Sequence, residues 1–266
     1  MKLYNPKRNC LLYYCGEANA STWGKYWKDI SNVDSDFNEL KDNYVSKLTE
    51  KYLKIDSGVI LEGGCGLGRQ VKLLTKKGFK VIGIDYAKDI IDLLNKSSPY
   101  LDIRYGDVRK LDFADNYFAG YWSLGVIEHF LEGYDKIAEE MHRVLKPTGY
   151  LFLTFPSMSI LRTLKCKLGI YDKLDESHTE RNFYQYALDS NEVISYFSNL
   201  GFRLMEKRKI FNFPGLGSDI PLLKEFLLKL DYYKGKSIIV RIIKKTIRII
   251  FKNIANHSTL LILKKI

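Results

Sequence analysis

The sequence predicts an α/β fold with a parallel sheet, on three observations. Between residues 58 and 155, short β-rich runs alternate with helical patterns. A glycine-dense turn joins the first run to the first helical pattern. Acidic residues close three successive runs. Strands that alternate with helices build parallel sheets through right-handed crossovers.

The elements follow in order. Residues 22–53 read as helical and aromatic-rich, with Trp23, Tyr26, Trp27, Phe37 and Tyr44. Residues 1–57 are expected to form an N-terminal helical cap. The core strands are VILE (59–62), KVIGID (80–85), LDIRYG (101–106), FAGYWSLG (118–125) and GYLFLTF (149–155), with helices near 69–77, 87–96 and 134–145. Residues 156–188 hold Pro156, Gly169 and many polar groups and read as a mobile insertion. A helix over 191–200 is stopped by Gly201, and a strand follows at 202–211. Pro214, Gly215, Gly217 and Pro221 then break the chain. Helical patterns at 221–233 and 237–255 precede a closing strand at 259–266. The organisation expected is a core over 58–211 with an acceptor-side insertion at 156–188, a basic amphipathic helical insertion at 212–257 and a closing strand at 258–266.

Composition sets the class. The chain has 266 residues, 46% hydrophobic and 27% charged, a globular balance rather than a disordered one. Cys10, Cys15, Cys65 and Cys166 form no CxxC pair, which disfavours a zinc site or a disulfide framework and suits a reducing cytoplasm. No long apolar stretch follows the N-terminus, so no signal peptide is expected. No run reaches the roughly 20 apolar residues of a membrane span. The net charge of +11 is uneven: from Asp231 onward nine Lys/Arg face one acid, which points to an anionic partner.

The glycine turn, VILEGGCGLGRQ, carries the chemistry. A strand, a tight glycine turn and a helix let a ligand approach main-chain N–H groups and the positive helix end. The spacing Gly64-x-Gly66-x-Gly68 is one residue short of a dinucleotide fingerprint, and Glu62 ahead of it would repel a pyrophosphate. An NAD-dependent oxidoreductase is disfavoured on both counts. Asp85 ends the second strand, where an acid can accept ribose hydroxyls, and Asp107 follows the third, placed for an adenine amino group. Gly-Asp is also a common turn. A ligand with a ribose, an adenine and a positive charge suits Glu62, Asp85 and Asp107 together.

These features resemble the class I S-adenosylmethionine-dependent methyltransferases. The resemblance rests on EGGCGLG (62–68), GID (83–85), GDV (106–108), SLGVIEHF (123–130) and HRVLKPTGYLFLTFP (142–156), in the family's order. It covers roughly residues 50–210, about one domain. It implies a Rossmann-like, mostly parallel seven-stranded sheet with helices on both faces and the last strand antiparallel. It implies S-adenosyl-L-methionine as cofactor. Gly64, Gly66 and Gly68 would face its methionine end, with Glu62 orienting it. Asp85 would take the ribose and Asp107 the adenine, Tyr86 and Val108 would also bind the cofactor, and Ser123 would lie near the sulfur. The EGGCGLGR and VIEHF forms resemble a subgroup acting on small molecules and glycans.

Several residues admit two readings. Glu128 and His129 are the catalytic candidates: His129 as general base, or the pair as hydrogen-bonding props of their loop. In related quinone O-methyltransferases this acidic-His region takes part in metal or acceptor binding; no metal is expected here. His178 and Tyr184 are placed to touch an acceptor, or are simply surface groups. Trp23, Tyr26 and Trp27 either close over the cofactor, where aromatic faces attract a sulfonium, or pack on the sheet. At about 100° per residue, Arg241, Lys244, Lys245, Arg248 and Lys252 fall within an arc of about 100° opposite an isoleucine-rich half. That pattern over 238–255 fits an anionic membrane surface, a cover for the sheet or a second subunit. Nucleic acid is disfavoured, because the basic residues are not interleaved with stacking aromatics.

The expectation is a methyltransferase acting on oxygen of a small-molecule, glycan or lipid-linked acceptor, in the cytoplasm or at the inner face of the membrane. The alternatives are a quinone or phenol O-methyltransferase at the membrane and a non-catalytic cofactor-binding scaffold subunit.

Overall fold

A computed structural model describes residues 1–33, 42–174, 182–233, 235 and 237–266. His178, Phe37, Lys234 and Lys236 lie outside the described residues. The chain opens with strands β1 (Lys2–Asn5) and β2 (Cys10–Tyr14), then helices α1 (Ala20–Val33) and α2 (Tyr44–Tyr52). Next come β3 (Ile60–Gly63), α3 (Arg69–Lys76), β4 (Val81–Asp85), α4 (Lys88–Ser97), β5 (Asp102–Tyr105) and β6 (Phe118–Leu124). They are followed by α5 (Asp135–Val144), β7 (Leu145–Pro156), α6 (Ile160–Lys167), β8 (Asp172–Lys173), β9 (Phe183–Ala187) and α7 (Ser190–Asn199). The chain closes with β10 (Phe202–Ile210), α8 (Phe213–Asp219), α9 (Lys224–Tyr232), α10 (Ile238–Ile254) and β11 (Ser258–Lys265).

The larger sheet has seven strands in the order β10–β11–β7–β6–β3–β4–β5. The ladders from β7 to β5 are parallel. β11 runs against both β7 and β10, so the sheet is mixed. β3, β4 and β6 are buried almost throughout, which is why they read as continuous apolar runs. On one face α2, α3 and α4 bury Val45, Leu48, Val71, Leu74, Ile90 and Leu94. Trp122 locks α2 to this face. Its ring stacks on Phe152 at 4.3 Å and its indole N–H donates to Thr49 at 3.0 Å. The other face packs α5, α7 and a second sheet.

That second sheet, β8–β1–β2–β9, corrects the expected helical cap: residues 2–14 form a β-hairpin. Asn5 turns it, its side chain accepting from the N–H groups of Lys7 and Arg8. β2 pairs with β9, and Leu12 and Tyr186 meet in the core. The described part of 156–188, expected as a loose insertion, therefore holds α6, β8 and β9. Arg162 of α6 is fully buried against Asp219 of α8 at 2.9 Å. Its guanidinium also donates to the carbonyls of Ser157 and His257. One buried pair thus ties the insertion to the C-terminal helices and to the start of β11.

Candidate active site

The carboxyl ends of β3, β4, β6 and β7 converge on a cavity of about 440 Å³. Glu62, Gly64, Asp85, Tyr86, Asp107 and Val108 line it, as do Glu128 and His129. In open α/β sheets this edge is where ligands bind.

The glycine turn makes the floor. Gly64, Gly66 and Gly68 all have left-handed backbones, with φ of 74°, 50° and 64°. At Gly66 a Cβ would stand 2.6 Å from the Trp27 ring, so conformation and space both demand glycine. Gly66 and Gly68 do not themselves line the cavity; Gly68 caps α3. Gly66 donates its N–H to Asp85 at 2.8 Å, and the other Asp85 oxygen accepts from Ala87 N–H at 2.9 Å. Burial pushes the Asp85 pKa up against these two bonds. Glu62 is buried and accepts from Val71 N–H at 3.1 Å, in the first turn of α3. Desolvation pushes its pKa up to about 8, and Asp85 adds to the rise.

Asp107 is more engaged than expected. Partial burial raises its pKa, but hydrogen bonds from Arg109, at 2.7 Å and 3.1 Å, outweigh this and hold the group ionised. Arg109 bridges on to Glu132 at 2.9 Å and lies over the Phe130 ring. Ser123 is fully buried in β6, its hydroxyl without a partner among the described residues, and does not line the cavity. Leu124 and Gly125 take that position on the wall.

The short 3-10 turn at Ile127–His129 carries the catalytic candidates. Glu128 is buried, and burial pushes its pKa up to about 8. Its Oε2 has no hydrogen-bond partner among the described residues. His129 places Nδ1 2.7 Å from the Tyr184 carbonyl, which fixes the proton there and leaves the Nε2 lone pair free to accept. Nε2 stands 4.0 Å from Glu128. Burial lowers the His129 pKa, against the opposing pull of the Tyr184 carbonyl.

Trp23, Tyr26 and Trp27 of α1 line the same cavity. The Trp23 ring meets His129 edge-on at 4.9 Å and lies 6.2 Å from Tyr184, which also lines the cavity. His257 is a wall residue that the sequence reading missed. Its Nδ1 accepts from Arg162 at 3.3 Å, so its proton sits on Nε2. Burial, reinforced by Arg162, pushes its pKa down to about 4. The two histidines are thus fixed in opposite tautomers, one accepting through Nε2 and one donating.

These groups fit a cationic nucleoside ligand. Four carboxyl groups border the cavity, and an incoming cation would satisfy the orphaned Glu128 oxygen. Among the described residues no three of His, Cys, Asp or Glu gather as a metal site.

Comparison with known proteins agrees with this geometry. Residues 61–153 match the family model described as a methyltransferase domain. The chain is 26% identical over 157 residues to a probable S-adenosylmethionine-dependent methyltransferase of Mycolicibacterium smegmatis, covering 59% of this chain and 56% of that protein. It is 23% identical over 128 residues to an uncharacterized methyltransferase-like protein of Schizosaccharomyces pombe, covering 48% and 49%. The chain thus spans about half the length of these two curated relatives. Among solved structures, a SAM-dependent methyltransferase of Methanosarcina mazei superposes with a TM-score of 0.56 at 19% identity, over 85% of this chain and 99% of that one. The (4+2)-cyclase SpnF superposes equally well, with a TM-score of 0.56 at 14% identity over 95% and 98%. Residues 61–153 thus match a methyltransferase domain, and the chain has the class I S-adenosylmethionine-dependent methyltransferase fold.

Proposed function

We propose that this chain is an S-adenosylmethionine-dependent methyltransferase that methylates a hydroxyl of a small-molecule, glycan or lipid-linked acceptor. The observation that carries this reading is His129 Nε2, held as a free acceptor on the wall of an acid-lined cavity. When bound, the cofactor supplies a methyl group already activated on a sulfonium. Glu62 and Asp85 would hold its methionine and ribose ends, and Val108 and Tyr86 would border the nucleoside. Asp107 would reach the adenine only while shared with Arg109. The aromatic faces of Trp23 and Trp27 favour a cation beside them. His129 Nε2 takes the proton of the acceptor hydroxyl, while alignment supplies the larger part of the rate. His257 Nε2–H offers a hydrogen bond to a second acceptor oxygen.

The aromatic walls Tyr26, Phe130 and Tyr184 favour a second reading within the class, a phenol or quinone acceptor. The reading from a different class is a cofactor-binding scaffold subunit without transfer activity; the same fold is also that of a cyclase. Methyl-labelled cofactor, incubated with the chain and lipid or glycan extracts, separates these readings. Label should enter an acceptor, and His129→Gln should slow transfer by about 10²–10⁴-fold while leaving cofactor affinity intact. Undiminished transfer by His129→Gln would reject the base. Cofactor binding with no labelled product would leave the scaffold reading standing.

A further inference from the structure

We infer that α10 is an interfacial helix that docks this chain on an anionic lipid surface. The inference rests on the helix surface alone and not on the methyl-transfer reading. Val240, Ile247 and Phe251 pack α10 against Phe213, Leu216, Leu227 and Leu230 of α8 and α9. At about 100° per residue these three fall within about 40° of one another. No side chain of α10 is fully buried; its last turn reaches the edge strand β10, where the Lys209 ammonium donates to the Asn253 carbonyl at 3.0 Å.

The direction opposite this stripe holds Ile238, Ile242 and Ile249, which are 71%, 58% and 64% exposed. Ile239, Ile243 and Ile250 continue the exposed apolar arc on one side. On the other side stand Arg241, Lys245, Arg248 and Lys252, all exposed and in no ion pair among the described residues, with Arg248 lying over the Phe213 ring at 6.0 Å. Lys244 is set apart, its ammonium donating to the carbonyls of Asp231 and Tyr233.

A rim of cations without acidic partners beside an outward apolar arc, with no acid on the helix, is the charge complement of anionic headgroups over acyl chains. Among the described residues no helix is long and apolar enough to cross a membrane, so α10 would lie in the interface plane. The helix ends at Ile254, and His257 and Ser258 line the cavity. Docking through α10 would therefore hold the cavity close to the lipid surface.

The test is flotation of the full chain with vesicles of phosphatidylcholine alone or mixed with phosphatidylglycerol. The chain should float with the anionic vesicles, at least about tenfold more than with neutral ones, and lose this preference in high salt. Ile242→Glu/Ile249→Glu should abolish flotation, and Lys245→Glu/Lys252→Glu should weaken it at least about tenfold. Both pairs are exposed, and an unchanged melting temperature shows that the variants fold. Absence of flotation, or equal flotation of wild type and both variants, would overturn the inference. So would a self-associated species in sedimentation that Ile242→Glu/Ile249→Glu disperses in a chain that ignores vesicles; a second copy would then cover the face. Cofactor calorimetry on the same variants should match wild type. Loss of cofactor binding by wild type with flotation retained would count against the enzyme reading alone.

Discussion

At the scale of single residues, the cavity concentrates groups whose protonation the fold has altered. Glu62 and Glu128 are both pushed from an ordinary 4.5 to about 8 by burial. A folded chain with raised carboxyl pKa values holds protons that the unfolded chain releases. The resulting stability is full below about pH 4.5 and is lost as pH rises through about 8. Without ligand, the melting temperature should therefore fall between pH 5 and pH 9. Glu128→Gln removes one of the two groups, so its decline should be shallower and its advantage over wild type largest at the alkaline end. Parallel pH profiles for the two proteins would show that Glu128 is ionised throughout. His129 works in the other direction: burial lowers its pKa below the ordinary 6.5, so its imidazole is neutral at physiological pH. Methyl transfer should rise with pH below that value and level off above it.

At the scale of elements, the turn between β3 and α3 is held by its surroundings as much as by its glycines. Asp85 of β4 binds the Gly66 N–H, Glu62 binds the first turn of α3, and the Trp27 ring covers Gly66. The two acids are structural before any ligand arrives. The sequence already carried this turn, because a strand, glycines at fixed spacing and a helix are local facts. That α1 lies on the turn was not legible, since aromatic residues at helical spacing look the same on a sheet or on a cavity. Gly66→Ala should destabilise by about 1–3 kcal/mol, from the left-handed backbone and the crowded ring. In a Trp27→Ala background the same change should cost less in thermal unfolding. An equal cost in both would show that the ring plays no part.

At the scale of the whole molecule, the parallel strands β3, β4 and β6 were readable because buried strands are continuous apolar runs bounded by turns. The small sheet was not. Its ladders join Leu11 to Ala187 and Leu3 to Asp172, pairings that local pattern cannot reveal. The Asn5-Pro6 turn between two short apolar runs was the available signal. His257 was hidden for a related reason. It reaches the cavity only because β11 lies antiparallel to β7, with Ser258 opposite Pro156. Ser123, chosen for its place at a strand end, faces the interior because strand side chains alternate. The acids at the strand ends line the cavity, and their partners, Arg109 above all, come from tertiary structure.

The cavity is proposed to bind S-adenosylmethionine through Asp85 and its neighbours. Titration calorimetry of the folded chain with S-adenosylmethionine or its demethylated product tests it most directly. One cofactor should bind per chain, saturably, and at least about tenfold more weakly in Asp85→Ala through loss of a charge-assisted hydrogen bond. No heat of binding at millimolar cofactor, or an affinity that Asp85→Ala leaves unchanged, would contradict it.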